Sequence, residues 1–102
     1  MTSIDQAARF IQYNCLKDWK LDQIKHEIIR AINHNSLIYT TDGNGNLIGI
    51  CIGEEFKKEK RLHVKAIVAK GQLKKYIKVF KEKFPGYIIS AYRDGVFKTL
   101  KL

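Results

Sequence analysis

Residues 61–86, RLHVKAIVAKGQLKKYIKVFKEKFPG, are the part of this chain best equipped to hold a charged ligand. The opening alternation reads as a strand, Gly71 as a turn, and the remainder as a basic amphipathic helix. A helix that opens directly after a strand aims its free backbone N–H groups past the strand end. That arrangement is an anion site, and phosphate is its commonest biological tenant. Lys70, Lys74 and Lys75 crowd the same place. Three readings follow: a nucleotide-like cofactor, a nucleic acid, or a basic face that is merely solvated.

The whole chain bounds these readings. Its 102 residues suffice for one domain, spanning 1–102, with one modest core. Hydrophobic residues make up 45% and charged residues 28%, a globular balance that argues against disorder. No apolar run approaches the roughly 20 residues of a membrane span. The start, MTSIDQAARF, lacks the basic and apolar regions of a signal peptide, so the expected location is the cytoplasm. Cys15 and Cys51 both fall in apolar patterns and are expected to be buried free thiols. No Cys/His spacing suggests a metal. The net charge of +9 is lopsided. Residues 1–56 hold five Lys and Arg against seven Asp and Glu, a balance of −2; residues 57–102 hold fourteen against three, a balance of +11. Such asymmetry suits a polyanionic partner or an anionic ligand, or simply the lysine-rich composition of an AT-rich genome.

The elements that must position these residues are legible in the periodicity. Thr2 or Ser3 opens a helix, and Ser3 with Gln6 fits a capping box. Ile4, Ala7, Ala8, Ile11 and Cys15 form its stripe. A second helix covers 21–33, with Leu21, Ile24, Ile28 and Ile32 on one face and Asn33 to Ser36 ending it. Strands at 37–41 and 47–53 flank a turn at 42–46, DGNGN. Residues 54–60 read as a charged loop, and 62–69 as a third strand with Leu62, Val64, Ala66 and Val68 on one face. A third helix covers 72–84, with Leu73, Tyr76, Ile77, Phe80 and Phe84 inward and its lysines outward, stopped by Pro85-Gly86. Strands at 87–93 and 96–102 flank a turn at Asp94-Gly95. The expected fold is α+β, in the order α-α-β-β-β-α-β-β. Its five-stranded sheet is mixed but mostly antiparallel, because the third helix is long enough to be a parallel crossover.

This order resembles the Gcn5-related N-acetyltransferase (GNAT) fold without its first strand and last helix. The tail, KFPGYIISAYRDGVFKTLKL, is similar to the ends of small GNAT-like proteins encoded by bacteriophages. That would place the chain in a host cytoplasm or a virion. The resemblance implies binding of acetyl-coenzyme A or another acyl-coenzyme A. In the family a Gln/Arg-x-x-Gly-x-Gly/Ala loop opens the helix after the central strand and holds the pyrophosphate; here Gly71 matches and the second glycine is absent. By this resemblance Val68, Ala69, Lys70, Gly71, Gln72 and Lys74 would hold the phosphates and pantetheine. The pantetheine arm would run between splayed strand edges at 67–69 and 87–90. The family's general acid is a tyrosine on the last helix, which is missing here. Tyr92 and Glu54 are the substitutes, with Glu55 and His63 behind them. Plainer readings stand beside each: a half-buried strand tyrosine, an ion-paired loop carboxylate, a surface histidine.

Two other functions compete with an acyltransferase. One is a non-catalytic binding module, a virion component or host-factor binder, that pairs with a protein partner or a second copy through the strand edge left open by the missing first strand. The other is salt-sensitive binding of a nucleic-acid backbone through Lys57, Lys58, Lys60, Arg61, Lys75, Lys78 and Lys81 together with Lys70 and Lys74. Tyr76 and Phe80 point to the core, so this lysine face carries few rings for base stacking.

Overall fold

The structure, a computed structural model, describes residues 3–69, 71–93 and 95–102. Helix α1 spans Ile4–Asn14 and α2 spans Leu21–Asn33. Ser3 closes the expected capping box: its Oγ accepts from the Gln6 N–H at 3.1 Å, and the Gln6 side chain accepts from the Ser3 N–H at 2.9 Å. Asn35, in the left-handed region at φ 55°, turns the chain out of α2. Strands β1 (Leu37–Thr41) and β2 (Leu47–Phe56) form the expected hairpin. In its turn the Asp42 carboxylate accepts from the N–H groups of Asn44 and Asn46 at 2.8 and 2.9 Å, and these bonds hold its pKa below the ordinary value. Strand β3 spans Arg61–Val68, α3 spans Leu73–Lys83, β4 spans Ile88–Arg93 and β5 spans Val96–Lys101.

The sheet order is β1-β2-β3-β4-β5, antiparallel except for the parallel β3–β4 pair that α3 bridges. The expected α+β architecture is thus present, element for element. Two cores lie on opposite faces of the sheet. On one, Ala7, Ala8 and Ile11 of α1 and Ile24, Ile28 and Ala31 of α2 pack on Ile50, Ile52, Ala66 and Val68. On the other, Tyr76, Phe80 and Phe84 pack on Cys51 and Leu62. Tyr76 reaches across β2 because Gly49 leaves room: a Cβ at Gly49 would sit 2.5 Å from the tyrosine hydroxyl. That hydroxyl accepts from Thr40 Oγ1 at 2.9 Å.

Three local expectations change. The four apolar residues of β3 do not share a face. Ile52 pairs with Ala66 but Gly53 pairs with Val64, so Lys65 is an extra residue in a bulge. Before the bulge, Leu62 and Val64 face α3; after it, Ala66 and Val68 face α1 and α2. Next, β2 continues through Glu54, Glu55 and Phe56, where a charged loop was expected. Glu54 pairs with His63 in register and is neutralised by Lys65, which removes the cost of a carboxylate in the sheet. Finally, Cys15 is exposed and only Cys51 is buried. Cys15 caps the end of α1 through its backbone N–H rather than packing inward. Burial pushes the Cys51 thiol up to about 12, which leaves it inert. No helix among the described residues is long and apolar enough to cross a membrane.

Candidate functional site

Strands β3 and β4 pair only over Arg61–Ile88, Leu62–Ile89, His63–Ser90 and Val64–Ala91. Beyond these rungs, at the Lys65 bulge, the two strands run on without pairing: residues 65–68 on β3 and 92–93 on β4. A notch therefore opens at their C-terminal ends. The β4 side of the expected splay, residues 87–90, is instead largely in the ladder, and the parting begins after Ala91.

The start of α3 lies beside this notch. Gly71 has φ 85°, a conformation that suits glycine, and a Cβ there would meet nothing within 4 Å. The Gln72 N–H bonds to the Ala69 carbonyl at 2.7 Å, and the Gln72 carbonyl accepts from Tyr76. Gln72 makes no side-chain cap, and the first turn carries no acid. The helix start is thus without a side-chain cap, and Lys74 and Lys75 are exposed beside it, a setting in which an anion could bind. Lys70 lies outside the described residues. The Val68 side chain is buried against α1 and α2, so only its backbone edge faces the notch.

Adjacent to the helix start, an apolar cavity of about 250 Å³ lies between α3 and the sheet. Leu73, Tyr76, Ile77 and Phe80 form its helix wall; Val64, Ile67, Ile89, Ala91 and Leu100 form its floor, and Lys98 stands among the lining residues. An anionic group on the helix start and an apolar arm in this slot would be served by adjoining surfaces.

The proposed acid–base residues are on the other side of the sheet. Glu54 lies 3.3 Å from Lys65 and 4.0 Å from Arg30, in a network that also ties Glu27 to both cations. Burial pushes the Glu27 carboxyl up, but hydrogen bonds from Lys65 and Arg30 outweigh it and leave the pKa below the ordinary value. Tyr92 is 67% exposed and packs edge-on against His63 and Phe97. Arg61 Nη1 donates to Ser90 Oγ at 2.8 Å, and His63 Nδ1 lies 2.9 Å from the same oxygen. A ring that carries its proton on Nε2 would accept from the Ser90 hydroxyl at Nδ1, leaving the oxygen to accept from the guanidinium. Burial and then the Arg61 charge lower the His63 pKa and so favour the neutral ring. Ser90 is fully buried and so is no nucleophile. Sequence reasoning missed this cluster. One signal was available: the Asp94-Gly95 dipeptide between two strand patterns predicts a hairpin, and the register sets Tyr92 opposite Phe97.

Lys57, Lys58, Lys60, Lys75, Lys78 and Lys81 are exposed, and among the described residues none of them forms an ion pair. Arg61 differs from them, paired with Glu59 at 2.9 Å and lying over the Phe56 ring. The described residues contain no cluster of three or more His, Cys, Asp or Glu that could hold a metal. No protein-family model, curated protein or solved structure compared with this chain matches it.

Proposed function

We propose that this chain is a minimal acyl-coenzyme A-binding domain of the N-acetyltransferase-like kind, working in the cytoplasm. The observation that carries the reading is the adjacency of three features: the β3–β4 notch, the uncapped start of α3 and the apolar cavity beside it. In this reading the backbone of residues 72–75 and Lys74 hold the pyrophosphate, Gly71 keeps side chains out of its way, and the pantetheine arm lies along the cavity wall formed by Leu73 and Ile77. Bound acyl-coenzyme A would supply an activated thioester. The chain's own acid–base groups are not assembled beside that cavity: Glu54 is held by two cations, and Tyr92 is on the opposite sheet face. Binding is therefore the better supported half of the acyltransferase reading.

Calorimetric titration with acetyl-coenzyme A tests it. Binding is expected to weaken in Lys74→Glu, which reverses the charge at the helix start, and in Ala91→Met, which fills the slot. Saturation that neither variant alters, or no heat at sub-millimolar ligand, counts against the reading. A second reading has its own observation. The unpaired lysines of α3 suit a nucleic-acid backbone, and such binding would fall steeply with salt without sensing Ala91→Met.

A further inference from the structure

The face of β3, β4 and β5 that α1 and α2 leave uncovered has the make-up of a base-stacking platform, and we infer that it binds single-stranded nucleic acid through Tyr92 and Phe97. Register places three rows of side chains on this face: Arg61, Ile88 and Lys101; His63, Ser90 and Thr99; then Tyr92 and Phe97. Tyr92 is 67% and Phe97 47% exposed. Their rings lie 5.2 Å apart by centroid, and the His63 ring stacks at 12° to Phe97 from 6.3 Å. His63 is itself fixed by Ser90, which Arg61 holds in turn. The aromatic group is thus braced from beneath by a part-buried polar chain rather than left loose on an edge hairpin.

Charge selects the occupant. The part of the chain from residue 57 onward carries +11, and this face presents Lys101 two rows from Tyr92 and Phe97, with Arg61, paired to Glu59, in the same row as Lys101. Its neighbouring acids are engaged: Glu59 by Arg61, and Glu54 by Lys65. Exposed rings with Lys101 farther along the same face offer what single strands require, a π-face for each base and positive charge for the phosphates. Three strands span only about 10 Å, so the footprint is a few nucleotides. A duplex keeps its bases stacked on one another and cannot use the rings. The surface is on the opposite side of the sheet from the cavity at α3, so it stands apart from the acyl-coenzyme A reading.

The test is fluorescence anisotropy of labelled oligothymidylate and oligouridylate of about twelve nucleotides, beside a duplex of equal length, in about 50 and 200 mM salt. Both single strands are expected to bind more tightly than the duplex. Tyr92→Ala and Phe97→Ala should each cost about tenfold in affinity. Tyr92→Trp, which keeps a stacking ring, should retain binding, so the proposal remains testable even where an alanine variant fails to fold. In the unaltered protein the His63 ring resonances should shift as oligonucleotide is added. Equal binding of duplex and single strand, unchanged by the ring variants and abolished by Lys74→Glu/Lys78→Glu, would overturn the inference and assign the affinity to α3. So would the absence of binding, or His63 resonances that respond to an acidic peptide and not to either oligonucleotide.

Discussion

The two halves of the sheet are built on different terms. Strands β1, β2 and the second half of β3 are packed by α1 and α2 on one face, and β2 is buried along its middle on both. Charges there are matched: Asp5 with Arg9 and Lys25, Glu27 with Arg30 and Lys65. Strand β5, by contrast, is exposed throughout Val96–Lys101, and the lysines of α3 have no carboxylate partner among the described residues. A region that keeps apolar strand residues exposed and lysines unpaired forgoes stability that such residues gain elsewhere by burial and pairing. The difference teaches where to look for binding: in the half that leaves its favourable contacts unmade.

The largest effect should come from the core that joins the halves. Phe80→Ala removes a ring packed between α3 and the sheet and should cost about 3–5 kcal/mol in urea unfolding, whereas Leu100→Ala on β5 should cost under about 1 kcal/mol. Comparable losses at the two sites would erase the contrast.

A sharper probe is the crossing of Tyr76 beneath Gly49. Gly49→Ala forces a methyl to 2.5 Å from the tyrosine hydroxyl and 3.0 Å from the Val68 carbonyl, and should cost about 1–3 kcal/mol. Adding Tyr76→Phe removes the closer of these two atoms along with the bond to Thr40. The double variant should be more stable than the two single costs summed. Simple additivity of the urea midpoints would mean that the two residues do not compete for space.

The smallest effects are electrostatic. Glu27 has its pKa lowered from 4.5 on folding, so its stabilisation is complete above that value and is lost as pH falls through the folded pKa. His63 is lowered from 6.5, so the unfolded chain takes up its proton first and stability declines as pH drops below 6.5. Urea midpoints should therefore fall in two stages on acidification. Glu27→Gln should remove the lower stage and His63→Gln the upper. A midpoint that stays level from neutral pH to below 4.5 would show that neither group is coupled to folding.

Much of the architecture was readable in the chain because periodicity and turn chemistry are local. The capping box at Ser3 and Gln6, the Asp42 turn, the apolar stripe of α2 and the Gly71 break each lie within a few residues. Even so, one helix face differed by a residue: Ala31 is buried where Ile32 was expected, because Ile24, Ile28 and Ala31 keep the i, i+4, i+7 spacing of one face. The candidate site was legible only in part. Gly71, Gln72 and Lys74 could be named from the strand–helix break, yet the face that the Val68 side chain takes could not, since alternation alone cannot reveal that a bulge has shifted the count.

What the sequence by itself determined is the succession of elements, the parallel crossover and the concentration of positive charge after residue 57, all consequences of spacing and composition. Only the tertiary structure decided that β3 turns its faces at Lys65, that the cavity and the Tyr92–Phe97 rings lie on opposite sides of one sheet, and that Arg61, Ser90 and His63 form one bonded chain. The reason is range. Register between strands 27 to 29 residues apart is set by how two cores pack on both faces at once, and no local pattern carries that sum.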